Sequence, residues 1–205
     1  FYEKRMPLGA AHRTKQRDLR LYMLVGGMPQ AVNEYLDTNN LAKVDAVKRR
    51  IIKLYSDDFL KIDPTGKLSK LFMSIPSQLS KKSTRFYASA IVGELEKNTE
   101  AEMLINLEDS KAVLVSYHSD DPNVGMSLTQ DISKYKLFVA DTGLFVTMVF
   151  WDKDFAENII YQKLLADKLE ANLGYIYENL VAQMLASVGN KLFYYTFEKD
   201  EKHSY

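Results

Sequence analysis

Ala112-Val113-Leu114-Val115-Ser116-Tyr117 and Tyr135-Lys136-Leu137-Phe138-Val139-Ala140 are the two runs whose reading decides the fold. Both are crowded with β-branched and aromatic side chains, which suit a pleated, half-buried surface. The stretch between them contains Asp120-Asp121-Pro122-Asn123, a turn-forming composition. The two runs therefore read as a ribbon of paired strands. Almost everything ahead of them reads as helix, so the expected class is mainly α with a small β element.

Working outward, residues 12–36 read as two helices split at Gly26-Gly27-Met28-Pro29. A glycine pair ends the first, and Pro29 fits the first turn of the second, where Val32, Tyr35 and Leu36 are expected to be buried. From Asn40, apolar residues at Leu41, Val44, Val47, Ile51, Leu54, Tyr55 and Phe59 predict one long amphipathic helix. Its Lys48, Arg49, Arg50 and Lys53 are expected to face water. It should stop before Asp63-Pro64-Thr65-Gly66. Further helical stretches are expected over 68–73, 77–79, 87–95 and 100–108, with a turn at Ile75-Pro76. Beyond the ribbon come a short apolar segment at 145–151, a helix over 170–187 and a strand over 191–197. Helices ahead of a two-stranded ribbon outline a winged helix.

Composition narrows the function. The chain has 205 residues, no cysteine, and 27 basic against 27 acidic side chains, so disulfides and thiolate metal sites are excluded and no overall field draws it to nucleic acid. A cytoplasmic location is the plain reading of that cysteine usage. The longest apolar stretch, 137–151, is broken by Asp141 and Gly143, so no membrane partner is expected. His12, His118 and His203 share no ligand spacing.

Several segments together resemble one family. Gly26-Gly27-Met28-Pro29-Gln30-Ala31-Val32, Tyr55-Ser56-Asp57-Asp58, Ile75-Pro76-Ser77-Gln78-Leu79, Lys136-Leu137-Phe138 with Asp141-Thr142-Gly143-Leu144, and Gly174-Tyr175-Ile176-Tyr177-Glu178-Asn179 follow its order. They resemble the prokaryotic AAA-type ATPases that carry a C-terminal domain of unknown function. The resemblance implies an ATPase domain ahead of Phe1, using ATP and magnesium. It further implies a helical segment over 1–66, a winged helix over 67–150 and the start of a restriction-endonuclease-like domain over 151–205. Gly26, Gly27, Pro29, Pro76, Gly143 and Gly174 are its structural positions. No Gly-x-x-x-x-Gly-Lys-Ser/Thr loop is present, so this chain is expected to hold no nucleotide itself.

The expected role is a coupling region between that ATPase domain and a protein partner or downstream domain. The alternative is part of a metal-dependent nuclease or a DNA-binding protein. For the latter, Glu178 is the candidate metal ligand, because a helix glutamate can complete a divalent site with strand carboxylates. Asp141 is a weaker catalytic candidate, since an aspartate before Thr142-Gly143 more cheaply caps the next segment. The dense cations Lys48, Arg49, Arg50, Lys81, Lys82 and Arg85 are where DNA would bind. The recognition position holds Glu100, Glu102, Glu108 and Asp109, and those carboxylates disfavour DNA.

Overall fold

A computed structural model describes residues 10–152 and 174–196. Eight helices and three strands are found there: α1 (Ala10–Val25), α2 (Pro29–Thr38), α3 (Leu41–Ile62), α4 (Lys67–Ser80), α5 (Ser89–Val92), α6 (Lys97–Asp109), β1 (Val113–Ser119), β2 (Gln130–Val139), α7 (Thr142–Val149), α8 (Gly174–Ser187) and β3 (Leu192–Tyr194). The molecule is mainly helical with a small mixed sheet.

The ribbon forms as read. β1 and β2 pair antiparallel from Val113 opposite Val139 to Ser119 opposite Gln130, with an irregularity between Tyr117 and His118. β3 adds to the far side of β1 in parallel, giving the order β2-β1-β3. The Phe86 N–H donates to the Tyr135 carbonyl at 2.7 Å, an extra rung on the outer edge of β2.

Local chemistry explains the helix boundaries. Gly26 adopts φ 81° to close α1, and Pro29 opens α2. Asn40 caps α3, accepting from the Ala42 N–H at 2.9 Å. Asp63 stops α3 and reaches forward to the Leu68 N–H at 2.8 Å, which holds the start of α4. Asp141 caps α7.

One core joins all of this. Met23 and Leu24 of α1, Ile52 and Phe59 of α3, Leu71, Phe72 and Ile75 of α4, Leu104 and Leu107 of α6, Leu137 and Val139 of β2, and Phe145 and Val146 of α7 belong to a single cluster. Ile176 and Leu180 of α8 belong to it too, so the expected late unit shares the core and the sheet of the ribbon. A smaller cluster of Val25, Ala31, Val44 and Val47 fills the α1–α2–α3 corner. In α7, Thr142 to Met148 are all buried, the sign of a helix wrapped on every side.

Five expectations are corrected. Lys48 does not face water; it is completely buried. Leu36 and Leu54 are exposed, whereas Ile52 is fully buried in their stead. The chain does not turn at Ile75-Pro76, because α4 runs straight through Pro76. Proline there has no N–H for the carbonyl four residues back and crowds that carbonyl, yet burial of Ile75 and Pro76 keeps the helix continuous. The helix over 87–95 shrinks to the single turn of α5, ended by Gly93 at φ 80°. Val181, expected to pack with Ile176 and Leu180 against the last strand, lies instead on the outer side of α8, away from the core that receives those two. Residues 170–173 of the expected late helix and Phe197 of the expected strand lie outside the described residues.

Candidate functional site: a buried polar junction at Asp141

The segments that looked like family signatures meet at one place. Asp141 is almost wholly buried, and each of its carboxylate oxygens has a backbone donor. Oδ1 accepts from the Leu144 N–H at 2.8 Å, and Oδ2 from the Gly27 N–H at 2.6 Å. One side chain thus caps α7 and pins the α1–α2 corner to it. Each oxygen of the buried carboxylate thus has one charge-assisted hydrogen bond from the backbone.

The glycines make that approach feasible. A Cβ on Gly26 would lie 2.4 Å from Asp141 Oδ1, at a φ that side chains rarely adopt. A Cβ on Gly143 would lie 2.5 Å from the Gly26 Cα and 2.7 Å from the Val25 carbonyl oxygen. Two backbones touch here with no room between them.

Lys48 enters from α3 beneath this contact. Its Nζ donates to the Leu24 carbonyl near the end of α1 and to the Gly143 carbonyl at 3.2 Å. Burial pushes its pKa down to about 8, while the carboxylates of Asp45 and Asp141 pull it back up. From the next residue, Arg49 Nε donates to Asp45 Oδ2 at 2.7 Å, and Asp45 Oδ1 accepts from Thr147 Oγ1 at 2.8 Å. The Arg49 guanidinium also donates to the carbonyls of Trp151 at 2.9 Å and Phe150 at 3.1 Å, closing the C-terminal end of α7. It lies over the Trp151 ring, 5.1 Å from the centroid. Two cations and two carboxylates therefore bind α3 to both ends of α7.

The third approach is from α8. Asn179 Oδ1 accepts from the Val139 N–H at 2.9 Å while its Nδ2 donates to the Val139 carbonyl at 3.0 Å, as a neighbouring strand would. Gln183 Oε1 accepts from Thr142 N–H at 2.9 Å and Oγ1 at 2.7 Å, and its Nε2 donates to Tyr22 Oη at 2.8 Å. Burial, then the nearby Asp141 charge, raises the Tyr22 phenol pKa.

The other sequence candidates are dispersed. Glu178 Oε1 accepts from Lys136 Nζ at 2.8 Å, and no group of three or more His, Asp or Glu able to hold a metal ion occurs among the described residues. Arg50, Lys81 and Lys82 are exposed. Arg85 lies over the Tyr87 ring, 4.9 Å from the centroid. Lys48 and Arg49 are spent inside the junction, so the six cations form no single surface. Two surface grooves, of about 400 and 470 Å³, are lined by other residues and do not include Asp141. Pro29 opens α2 and Pro76 is packed within α4, while Gly174 is the exposed first residue of α8.

Sequence reasoning missed Asp45, Tyr22, Thr147 and Gln183. For Lys48 a signal existed: it falls four residues after Val44 and four before Ile52, on the buried face of α3.

A family model places this architecture among known domains: the chain belongs to DUF8612, a domain family of unknown function, whose model matches residues 16–154. That span includes the Gly26-Gly27 corner, Lys48, Arg49 and Asp141. No curated protein and no solved structure matches the chain. No helix among the described residues is long and apolar enough to cross a membrane.

Proposed function

We propose that the chain is the coupling and interaction region of an AAA-type ATP-binding protein, transmitting nucleotide-driven motion to a protein partner or a downstream domain. One observation carries this reading. Segments far apart in sequence, at Gly26-Gly27, Lys48-Arg49, Asp141–Leu144 and Asn179–Gln183, are joined by buried and part-buried polar bonds into one junction. Such a junction transmits displacement, because a buried polar network fits one arrangement and resists sliding. ATP and magnesium would belong to a domain ahead of Phe1, since this chain has neither a phosphate-binding loop nor, among its described residues, a carboxylate cluster.

Within this reading, residues 67–150 are a winged helix made of α4, α5, α6 and the β1–β2 hairpin, with the Phe86–Tyr135 bond as its third strand contact. It is suited to docking protein. Glu102, Glu108, Asp109 and Asp120 are exposed on α6 and the hairpin loop, and a duplex would be repelled by them. Exposed Val124, Met126 and Leu128 in the loop supply apolar contact instead. The alternative, a metal-dependent nuclease or DNA-binding protein, has less support because Glu178 is engaged by Lys136 and the cations are scattered.

The test has two arms. Calorimetry of residues 1–205 with ATP is expected to show no saturable heat. In the gene product that includes the preceding sequence, ATP hydrolysis should depend on Asp141, with Asp141→Asn changing the rate while the fold persists. Saturable ATP binding by residues 1–205, or the lack of any phosphate-binding loop in the preceding sequence, would overturn the reading.

A further inference from the structure

The second edge of β1 is covered over only part of its length. Ala140 N–H donates to the Ala112 carbonyl at 2.9 Å, and Val139, opposite Val113, turns its own N–H and carbonyl away to Asn179. That phase sends the backbone groups of Leu114 and Ser116 to β2, and those of Val113, Val115 and Tyr117 to the other edge. β3 meets this edge only from Ser116 to His118. Among the described residues, no hydrogen bond reaches the N–H of Val115 or either backbone group of Val113. Both valines are buried, so these groups gain from a partner. The chain does not fill the gap itself. Gly189, at φ 86°, donates its N–H to the Ala186 carbonyl at 2.9 Å, and Asn190 N–H donates to the Leu185 carbonyl at 3.2 Å. The residues ahead of β3 are thus wound onto the end of α8. A groove of about 400 Å³ is left, lined by Val113 and Val115 together with Ala186, Asn190 and Lys191.

We infer that this groove receives an extended peptide of a partner protein, which adds about three residues to the sheet beside Val113–Val115. Unpaired N–H and carbonyl groups at strand spacing are matched by the backbone of another strand and by little else. The groove is of the size that ligand sites have. Lys191 is exposed on its lining and suits an acidic side chain next to the pairing stretch. The inference is independent of the coupling role proposed above.

A random heptapeptide library displayed on phage, panned against the 205-residue chain, supplies the probe. Binders enriched in β-branched residues are expected. Ala186→Trp fills the groove from α8 and leaves β1 untouched. It should weaken a synthetic copy of one binder by about tenfold or more, with the circular-dichroism melt unchanged. Methylating the peptide's backbone nitrogens one at a time should cost about tenfold at every second position and little between. Apolar contact alone does not produce that alternation. In the complex, amide exchange should slow at Val113 and Val115 and stay as it was at Leu114 and Ser116. The inference is overturned by a library that yields no binder, by a binder indifferent to both Ala186→Trp and N-methylation, or by exchange that slows only elsewhere. Slowing at Val115 with rising chain concentration and no peptide would also overturn it, because a second copy would then occupy the edge.

Discussion

The junction at Asp141 and the outer faces of the hairpin and α8 have exchanged the usual positions of charge and oil. Asp45, Lys48 and Asp141 are buried, while Leu128, Ile132 and Val188 stand in water. The two inversions differ in consequence. Burying ions is costly unless each finds a partner, so the junction is sensitive to any change in its members. Exposing single apolar side chains costs folding little. What they lose is the chance to bury, which a partner can restore. Stability should therefore be concentrated at the corner, and the hairpin tip and the outer face of α8 should tolerate substitution.

The sharpest way to break this contrast is at Lys48. Lys48→Met keeps the length of the side chain but leaves the Leu24 and Gly143 carbonyls without their donor and removes a positive charge from beside Asp45 and Asp141. A loss of about 3–5 kcal/mol is expected in urea unfolding, the range for removing one member of a buried charge set. The lysine also leaves a pH signature. Its folded pKa, about 8, lies below the 10.5 of the unfolded chain, so the unfolded state binds more protons between those values. Stability contributed by this site therefore rises with pH across that window, by on the order of 3 kcal/mol in all. Below pH 8 it is flat. The measurement is the wild-type minus Lys48→Met difference from pH 7.5 to 10.5, which cancels the other titrating groups. A difference that falls with pH would mean the ammonium is stabilised by the fold, contrary to its burial.

Gly143→Ala sharpens the same side of the comparison by space alone. The new methyl would press on the Gly26 backbone, which cannot swing aside as a side chain can. The expected cost is about 1–3 kcal/mol, felt as separation of α7 from the α1–α2 corner. Amide exchange should quicken at Gly27 and Leu144, whose N–H groups Asp141 holds. A stable variant with unchanged protection there would show that the corner is looser than its contacts.

How far was this legible in the sequence? The hairpin was, because β-branched and aromatic residues in two adjoining runs have few other uses. The Gly26-Gly27-Met28-Pro29 corner was legible for the same local reason. The burial of Lys48 was hidden by convention: a cation on an amphipathic helix is assigned to water, although its four-residue spacing from Val44 and Ile52 placed it inside. Its partners are carbonyls from α1 and α7, which no side-chain pattern announces. Asp141 was legible as a cap but not as a clamp, since its second bond goes to Gly27, distant in sequence. Pro76 misled because proline disfavours helix locally, and tertiary burial outweighed that preference. The charge inversion as a whole arises from long-range pairings, which a single sequence does not display.

The smallest expected effect is at the hairpin tip, and it decides whether the contrast is real. Leu128 is 84% exposed and Ile132 71%. Ile132 stands near the start of β2, and the loop that presents Leu128 is held by its own bonds: Leu128 N–H to the Gly125 carbonyl at 2.7 Å, Asp120 N–H to the Thr129 carbonyl at 3.0 Å, and Ser119 Oγ to Thr129 Oγ1 at 2.8 Å. None of these involves the leucine or isoleucine side chain. Leu128→Ser and Ile132→Ser are therefore expected to change stability by no more than about 0.5 kcal/mol, as surface substitutions do. Thr129→Val, which removes the hydroxyl shared with Ser119, should loosen the loop more than either. If Leu128→Ser instead costs as much as a core truncation, roughly 2 kcal/mol or more, its side chain is covered in solution. The hairpin tip would then belong with the buried regions, and its availability to a partner would be lost.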